Sequence, residues 1–174
     1  MTSKLGSVSV LMDEQDILLA LEKISGEIIA KGKNLDNLAL VGIKTRGEHI
    51  ARRLESIIEK LCGRKSNFGT LDITLYRDDF DSLGDLTVGE TDLMFDVSGK
   101  RIILVDDVLY SGRTIRAALD QIIDFGRPAE IELAVLVDRG GRQSRGHGAW
   151  HALRNGSRSP TSGGVGWQRR ELGT

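Results

Sequence analysis

Several residue types and patterns are scarce in this 174-residue sequence, and each scarcity excludes a class of protein. Cys62 is the only cysteine, which excludes an intrachain disulfide framework and suits a reducing compartment. No apolar run approaches the roughly 18 residues of a membrane-spanning helix, and the N-terminus lacks the apolar stretch of a signal peptide. We therefore expect a cytoplasmic protein that does not bind membranes.

An excess of charge of either sign is also missing. The chain has 24 basic and 25 acidic residues, and its formal net charge is -1. Nothing global therefore attracts it to nucleic acid or anionic lipid, and any RNA contact would need a local basic patch. With 40% hydrophobic residues and only two prolines, the chain can bury the core of one domain.

The spacing of apolar residues predicts helices alternating with strands. Residues 13–31 carry an apolar stripe at three- and four-residue intervals, which indicates an amphipathic helix. Further helices are expected from about Glu48 to Leu61 and from near Thr114 to Gly126, with strands at 38–43, 71–76, 101–108 and 132–138. These strands are apolar runs without alternation, so each should be covered on both faces. The predicted fold class is α/β, with a mainly parallel central sheet flanked by helices.

Two segments break this pattern. Residues 77–100 are acidic, contain three glycines and show no sustained period, which predicts a long loop or irregular hairpin that serves as a flexible lid. Residues 141–174 are rich in glycine and arginine and lack lysine, isoleucine, phenylalanine and aspartate. This atypical tail has too little apolar material to extend the sheet, and we expect it to be poorly ordered. We therefore place the domain in residues 1–140. The abrupt change in composition after it is what translation in a shifted reading frame would produce, and we offer this origin of the tail as a hypothesis.

The most specific motif is ILVDDVLYSGRT at residues 103–114, where a buried strand leads through a turn of small residues into a helix. Ligands of parallel sheets bind beyond the carboxyl ends of the strands. Freed backbone N–H groups at the helix start, close approach at Gly112 and the hydroxyls of Ser111 and Thr114 suit a phosphate. The field of the helix end adds roughly 0.3–1 kcal/mol for an anion.

Two adjacent carboxylates, Asp106 and Asp107, precede this turn. They would repel a phosphate placed directly on them, but they match ribose hydroxyl donors or a hydrated Mg²⁺. The alternative is that they only cap a turn. This order of acids, small-residue turn and helix closely resembles the signature of type I phosphoribosyltransferases, which implies a site for the ribose 5-phosphate end of phosphoribosyl pyrophosphate (PRPP).

Three further charged turns are candidates for the rest of such a site. Residues 44–47 follow a predicted strand and open a helix, which suits a second anion or makes a solvated basic turn. Arg77 begins the predicted lid and could neutralise a departing pyrophosphate, or could be an ordinary charged loop residue. Residues 137–139 end the last predicted strand, where backbone groups could read a flat base or form a simple strand-end turn.

The stretches LVGIKTRGEHIARRL, LDITLYRDD, ILVDDVLYSGRTIRAALD and GRPAEIELAVLVDRG occur in an order and spacing that resemble the PyrR family. The resemblance runs from about Met12 to Gly140. It implies a type I phosphoribosyltransferase fold and transfer of phosphoribose from PRPP to uracil, giving UMP and pyrophosphate. It also implies Mg²⁺ carried by PRPP, UMP- or UTP-dependent binding of pyrimidine-operon leader mRNA for transcription attenuation, and a homodimer or higher homo-oligomer.

The resemblance also implies roles for individual residues, assigned by matching motif. The groups at the reacting ribose and leaving group are Asp106, Asp107 and Arg77. The 5-phosphate loop consists of Leu109, Tyr110, Ser111, Gly112, Arg113 and Thr114. The pyrophosphate loop, which in some members contains a non-proline cis peptide, consists of Lys44, Thr45, Arg46 and Gly47. The base lies near Val137, Asp138 and Arg139, and no protein side chain is a direct metal ligand.

This sequence departs from the family at two places. The family carries basic residues and a histidine on its first helix, and these are associated with RNA contact. Here the matching stretch reads ILLALEKISGE, in which Lys23 is the only basic residue and Gly26 occupies the histidine position. After Gly140 the family's base-pocket segment is replaced by an unrelated tail. Other functions remain open: a purine or orotate phosphoribosyltransferase, or a regulator without turnover. The spacing of LYRDD and LVDRG favours uracil.

Overall fold

The computed structural model describes residues 10–32, 35–73 and 91–139 and the backbone of residues 152–154. Helices α1, α2 and α3 span Glu14–Lys31, Arg46–Cys62 and Arg113–Phe125. Strands β1 to β5 span Leu38–Ile43, Asn67–Leu71, Arg101–Leu109, Glu130–Asp138 and Ala152–Arg154. The predicted α/β class is confirmed. Within the described ranges, no helix is long and apolar enough to cross a membrane.

All five strands form one parallel sheet in the order β2-β1-β3-β4-β5. From β1 the chain moves outward to β2, and it then returns to place β3 on the other side of β1. The order of the strands therefore reverses between β1 and β3. In open α/β sheets this reversal opens a crevice at the carboxyl ends of the two strands, which is where ligands bind.

The sheet is covered by helices on both faces, which explains the lack of alternation in its strands. Leu38 and Leu40 of β1 face α1 and α2, whereas Ala39 and Val41 face α3. Each of these four residues is fully buried. Complete burial of a large aliphatic side chain contributes about 1.5–3 kcal/mol, so the two clusters fix the sheet between its helices.

Helix α1 begins where a carboxylate satisfies its first N–H groups. Asp13 is its N-cap and accepts from the backbone N–H of Asp16 at 2.8 Å, while the Asp16 side chain accepts from the N–H of Asp13 at 3.1 Å. This reciprocal capping box fixes the start of the helix, and the predicted helix over 13–31 is confirmed.

A buried ion cluster joins α1 to the amino edge of the sheet, opposite the crevice. Glu132 of β4 is 1% exposed and accepts from Arg101 Nε at 2.6 Å and from Lys31 Nζ at 3.2 Å. Arg101 Nη1 also donates to the carbonyl of Ile28 at 2.9 Å, near the end of α1. The negative charge of Glu132 is thus compensated by two cations.

The prediction of the second strand was displaced along the chain. It was expected at 71–76, but β2 spans Asn67–Leu71. The cause is register: β1 ends at Ile43, which pairs with Leu71, so a longer β2 would have no ladder partner on that side. Residues 72 and 73 lie outside any strand, and 74–76 fall outside the described residues.

Part of the predicted lid instead belongs to the core. Val97 is 1% exposed, and Leu93 and Phe95 pack against the same cluster on the α3 face. Thr70 and Asp92 exchange two backbone hydrogen bonds, of 2.8 and 2.9 Å, across an antiparallel bridge. The lid expectation was therefore wrong for residues 91–100, and residues 77–90 lie outside the described part of the chain.

The expectation that the tail would not extend the sheet was wrong at three residues. Ala152–Arg154 form β5 beside β4, with Leu133 opposite Ala152. Backbone groups along the outer edge of β4 can pair with any chain that has no proline there, so pairing does not require an apolar run. The rest of residues 141–174 lies outside the described residues.

Candidate active site

The candidate site lies where β1 and β3 end and α2 and α3 begin. A Cβ atom on Gly42 would lie 2.5 Å from the Cα of Glu48, and one on Gly47 would collide with the carbonyl oxygen of Val105. Only glycine allows this approach. The first turn of α2 therefore rests directly on the ends of β1 and β3.

The turn between β1 and α2 carries the predicted pyrophosphate residues. The Lys44–Thr45 peptide bond is cis, and the Lys44 N–H donates to the carbonyl of Leu71 at 2.8 Å. Thr45 is the N-cap of α2 but makes no side-chain cap hydrogen bond. In α1 the capping carboxylate of Asp13 accepts from a backbone N–H of the first turn. In α2 the N-cap side chain accepts no such hydrogen bond. The first N–H groups of α2 can therefore serve an external anion.

The two predicted aspartates differ in environment although they are adjacent in β3. Asp106 is 8% exposed and accepts from the N–H of Asp107 at 2.9 Å, whereas Asp107 accepts from the N–H of Val108 at 2.8 Å. Burial raises the pKa of Asp106 to about 7; the Asp107 N–H opposes this rise and the Asp107 charge adds to it. Among the described residues, no three acidic, histidine or cysteine side chains converge as a metal site. The pair by itself is thus suited to a cation that arrives with other ligands.

An ion pair connects the acidic pair with the turn after β1. Arg46 Nη1 lies 3.2 Å from Asp107 Oδ2, and the arginine side chain is largely exposed. The guanidinium is therefore placed over the crevice between β1 and β3. It can contact an anion bound at α2 without leaving the neighbourhood of the carboxylates.

The predicted 5-phosphate turn connects β3 to α3. Gly112 has φ 85°, a conformation that favours glycine, and it is the N-cap of α3. Its carbonyl accepts from the Arg116 N–H at 2.9 Å, and Ser111 Oγ lies 3.5 Å from the Arg113 nitrogen. Leu109 is 1% exposed, so its side chain belongs to the core and only its backbone is available to a ligand.

The predicted base residues end the neighbouring strand. Asp138 is in register with Leu109, and the Arg139 N–H donates to the Leu109 carbonyl at 2.9 Å. The Arg139 guanidinium lies 5.0 Å from the centre of the Tyr110 ring. The end of β4 and the 5-phosphate turn are therefore joined through both backbone and side chains.

The structure thus brings three of the predicted parts to one edge of the sheet: the turn at 44–47, the stretch from 106 to 114, and residues 137–139. Val137 lies in β4 opposite Val108, and Thr114 is in the first turn of α3. Arg77, the fourth part, falls outside the described residues.

A polar contact that the sequence did not indicate lies beside this edge. Thr91 Oγ1 accepts from the Asp72 N–H at 3.0 Å and from Gln121 Nε2 at 2.9 Å. Gln121 lies on α3, the helix that starts at the 5-phosphate turn. No local sequence signal marks such a contact, because its members are separated by 19 and 30 residues.

Comparison with known proteins shows which family and which fold this chain is similar to. The family described as "Phosphoribosyl transferase domain" matches residues 7–153. A protein of Clostridioides difficile named "Bifunctional protein PyrR" is 55% identical over 134 residues, covering 76% of each chain. A protein of the same name from Geobacter sulfurreducens is 51% identical over 136 residues, covering 78% of this chain and 77% of the relative. A solved hypoxanthine-guanine phosphoribosyltransferase of Bacillus anthracis is similar in fold, with a TM-score of 0.67 at 16% identity over 90% of this chain and 87% of that one.

Proposed function

The chain belongs to the PyrR family of phosphoribosyltransferases, and we propose that it transfers phosphoribose from PRPP to uracil in the crevice between β1 and β3. The products are UMP and pyrophosphate. The family assignment makes the protein a uracil phosphoribosyltransferase and a regulator of pyrimidine operon expression. The observation that carries the site proposal is the Arg46–Asp107 contact, which joins a helix start suited to an anion with the acidic pair suited to ribose.

The proposed mechanism follows from where charge develops. As the bond between C1 of ribose and pyrophosphate breaks, positive charge grows on the ribose and negative charge on the leaving group. Asp106 and Asp107 hold the ribose hydroxyls, and the negative charge of Asp107 favours the developing positive charge on the ribose. Lys44, Arg46 and the first N–H groups of α2 stabilise pyrophosphate, and Arg77 is assigned to the same task by its motif. A uracil nitrogen forms the new bond to C1 as the bond from C1 to the pyrophosphate oxygen breaks, and the proton of that nitrogen passes to the released pyrophosphate.

The 5-phosphate is assigned to the start of α3. Residues 109–114 offer the helix N–H groups, the Ser111 and Thr114 hydroxyls and the charge of Arg113. Anchoring the far end of the substrate fixes the reacting carbon relative to the base and to the acidic pair. Such positioning accounts for much of the rate enhancement in transfers that need no covalent intermediate.

Mg²⁺ is the proposed cofactor, and the described residues fit one that is bound mainly by substrate. The protein offers two adjacent carboxylates, which matches the preference of Mg²⁺ for one or two carboxylates together with substrate phosphates and water. The ion would be carried by PRPP and would lie near Asp106 and Asp107, whose carboxylates could accept from its water ligands. When bound, Mg²⁺ neutralises charge on pyrophosphate.

The regulatory activity is proposed to use uridine-nucleotide-dependent binding of leader mRNA, in a homodimer or higher homo-oligomer. UMP and UTP are the proposed effectors because they share the ribose phosphate and base that the crevice would hold. The support is family membership. Lys23 is the only basic residue in the stretch 17–27. This part of α1 therefore offers little of the positive charge that the family resemblance associates with RNA.

A purine or orotate phosphoribosyltransferase is the second possibility, because the phosphate-binding turn alone does not select the base. The PyrR-like spacing of LYRDD, at residues 75–79, and LVDRG, at residues 136–140, favours uracil over purines or orotate.

The deciding experiment measures UMP formation from uracil and PRPP with Mg²⁺, in the parent and in an Asp106→Asn/Asp107→Asn variant. We expect turnover in the parent and its loss in the variant, with no turnover of hypoxanthine, guanine or orotate. The matched control is Asp120→Asn, an exposed aspartate on α3, which should behave as the parent does. Preferred use of another base would replace uracil with that base, and PRPP binding without turnover would indicate a regulator alone.

A further inference from the structure

The sequence assigns Tyr110 to the 5-phosphate loop, but its side chain contacts a residue outside that loop. The residue lies in the 5-phosphate turn, but its ring lies beneath the guanidinium of Arg139, 5.0 Å from ring centre to the guanidinium carbon. Arg139 follows β4, at the end of the crevice where the base is proposed to bind. Tyr110 therefore links two parts of the site that hold different halves of a nucleotide.

The backbone makes this side-chain contact reproducible. Leu109 and Asp138 are partners in the parallel ladder, and the Arg139 N–H donates to the Leu109 carbonyl at 2.9 Å. The residues immediately after each ladder partner, Tyr110 and Arg139, are thereby held side by side. Their contact depends on the register of β3 and β4 rather than on chance overlap of two long side chains.

An exposed arginine has many rotamers, and Arg139 is exposed at the edge of the sheet. Tyr110 is 56% exposed, so one ring face can bind the cation while much of the side chain remains in solvent. The stack favours the arginine rotamers that keep the guanidinium over the end of β3. Its donors are then presented beside the turn that holds the 5-phosphate. Carbonyl oxygens of a pyrimidine are suitable acceptors for these donors.

We propose that Tyr110 is a positioning residue that holds the Arg139 guanidinium for the pyrimidine base of a bound nucleotide. This proposal rests on the proposed function and adds a role for the ring that the 5-phosphate assignment does not contain. The ligand class is a pyrimidine nucleoside monophosphate. The ring contributes to recognition of the base end and not to binding of the phosphate.

The test compares equilibrium binding of UMP with that of ribose 5-phosphate, which lacks the base. In Tyr110→Ala we expect UMP to bind about 2- to 30-fold more weakly, the range spanned by exposed and desolvated cation–π contacts, with ribose 5-phosphate unchanged. Tyr110→Phe keeps the ring and should restore UMP binding. In an Arg139→Ala background the Tyr110→Ala change should have no further effect, because the two residues act as a pair.

Phe125→Ala is the matched control, since Phe125 is a half-exposed aromatic at the far end of α3. Equal weakening of UMP and ribose 5-phosphate in Tyr110→Ala would overturn the proposal, as would fully additive effects of Tyr110→Ala and Arg139→Ala. A parent that binds UMP no more tightly than ribose 5-phosphate would also overturn it. Turnover of the parent is measured separately: without turnover the proposed enzyme function fails, while selective loss of UMP binding would still support the role of Tyr110.

Discussion

Nη1 of Arg46 lies 3.2 Å from Oδ2 of Asp107, so the turn after β1 and the acidic pair of β3 share one guanidinium. An arginine presents several donors in a planar fork and can contact a carboxylate and a phosphate together. This relationship places the positive charge between the ribose and the leaving group in the proposed reaction. Because the Arg46 side chain is largely exposed, we expect Arg46 to contribute to PRPP binding and little to stability.

Replacement of Arg46 by alanine should weaken PRPP use and leave the fold intact. We expect the KM for PRPP to rise by about 10- to 100-fold, the equivalent of one lost charge-assisted hydrogen bond. The Arg46–Asp107 pair is exposed and contributes at most about 1 kcal/mol to stability, so the melting temperature should hardly change. Arg53→Ala, an exposed arginine on the same helix, is the control. An unchanged KM in Arg46→Ala would exclude the pyrophosphate role.

The raised pKa of Asp106 predicts a pH-dependent stability. Its pKa is 3.8 in the unfolded reference and about 7 in the fold, so between these values the folded state keeps a proton that the unfolded state has released. The free energy of unfolding should fall with rising pH across this window, by up to about 1.4 kcal/mol per pH unit. Asp106→Asn should remove this slope.

Urea denaturation from about pH 4 to pH 8, without PRPP or Mg²⁺, measures the effect. The unfolding free energy of the parent minus that of Asp106→Asn should decrease as pH rises. It should become constant above the pKa of Asp106 in the folded protein. Asp120→Asn should follow the parent throughout. Parallel curves for the parent and Asp106→Asn would refute the assignment of the titration to Asp106.

Glu132→Gln should destabilise the protein strongly without a direct effect on catalysis. The change leaves the largely buried Arg101 without its carboxylate, and breaking a buried ion pair in this way costs about 3–5 kcal/mol. Denaturant titration should show that loss. Glu130→Gln, two residues earlier and exposed, should change the unfolding free energy by less than about 0.5 kcal/mol. Similar values for the two variants would mean that the cluster does not support the fold.

Alanine substitutions at two helical glycines should have opposite effects. A Cβ on Gly47 would meet the Val105 carbonyl, whereas one on Gly26 has open space within 4 Å. Gly26→Ala should stabilise by about 0.5–1 kcal/mol because alanine is the better helix former. Gly47→Ala should displace the first turn of α2, lower the melting temperature and weaken PRPP binding. Normal PRPP binding by Gly47→Ala would show that the close approach is not needed.

Much of the fold could be predicted from the sequence because local patterns agreed with tertiary packing. The run Leu38–Ile43 is apolar at every position, and the observed strand has the same bounds with every residue buried. The apolar stripe over 13–31 predicted α1, whose start is fixed by the capping box at Asp13. The PRPP motif was specific because strand, turn and helix start occurred in one continuous stretch.

The errors arose where long-range pairing or weak alternation decided the structure. The end of β2 is set by the register with Ile43, which its own sequence does not contain. Leu93, Phe95 and Val97 alternate with polar or exposed residues, and this short period-two signal was hidden in an acidic segment. The Tyr110–Arg139 contact depends on neighbouring strands and could not be deduced from either motif alone.

The hydrogen bonds that join Thr91 to Asp72 and Gln121 return the chain to the place where it left the sheet. These hydrogen bonds act as a clasp that holds residue 72, just after β2, and residue 91 together against α3. For such a closed segment, each doubling of length adds only about 0.6 kcal/mol of closure entropy. Residues inserted between 78 and 91, which leave Arg77 in its place in the sequence, should therefore cost the fold little stability while the clasp keeps its register.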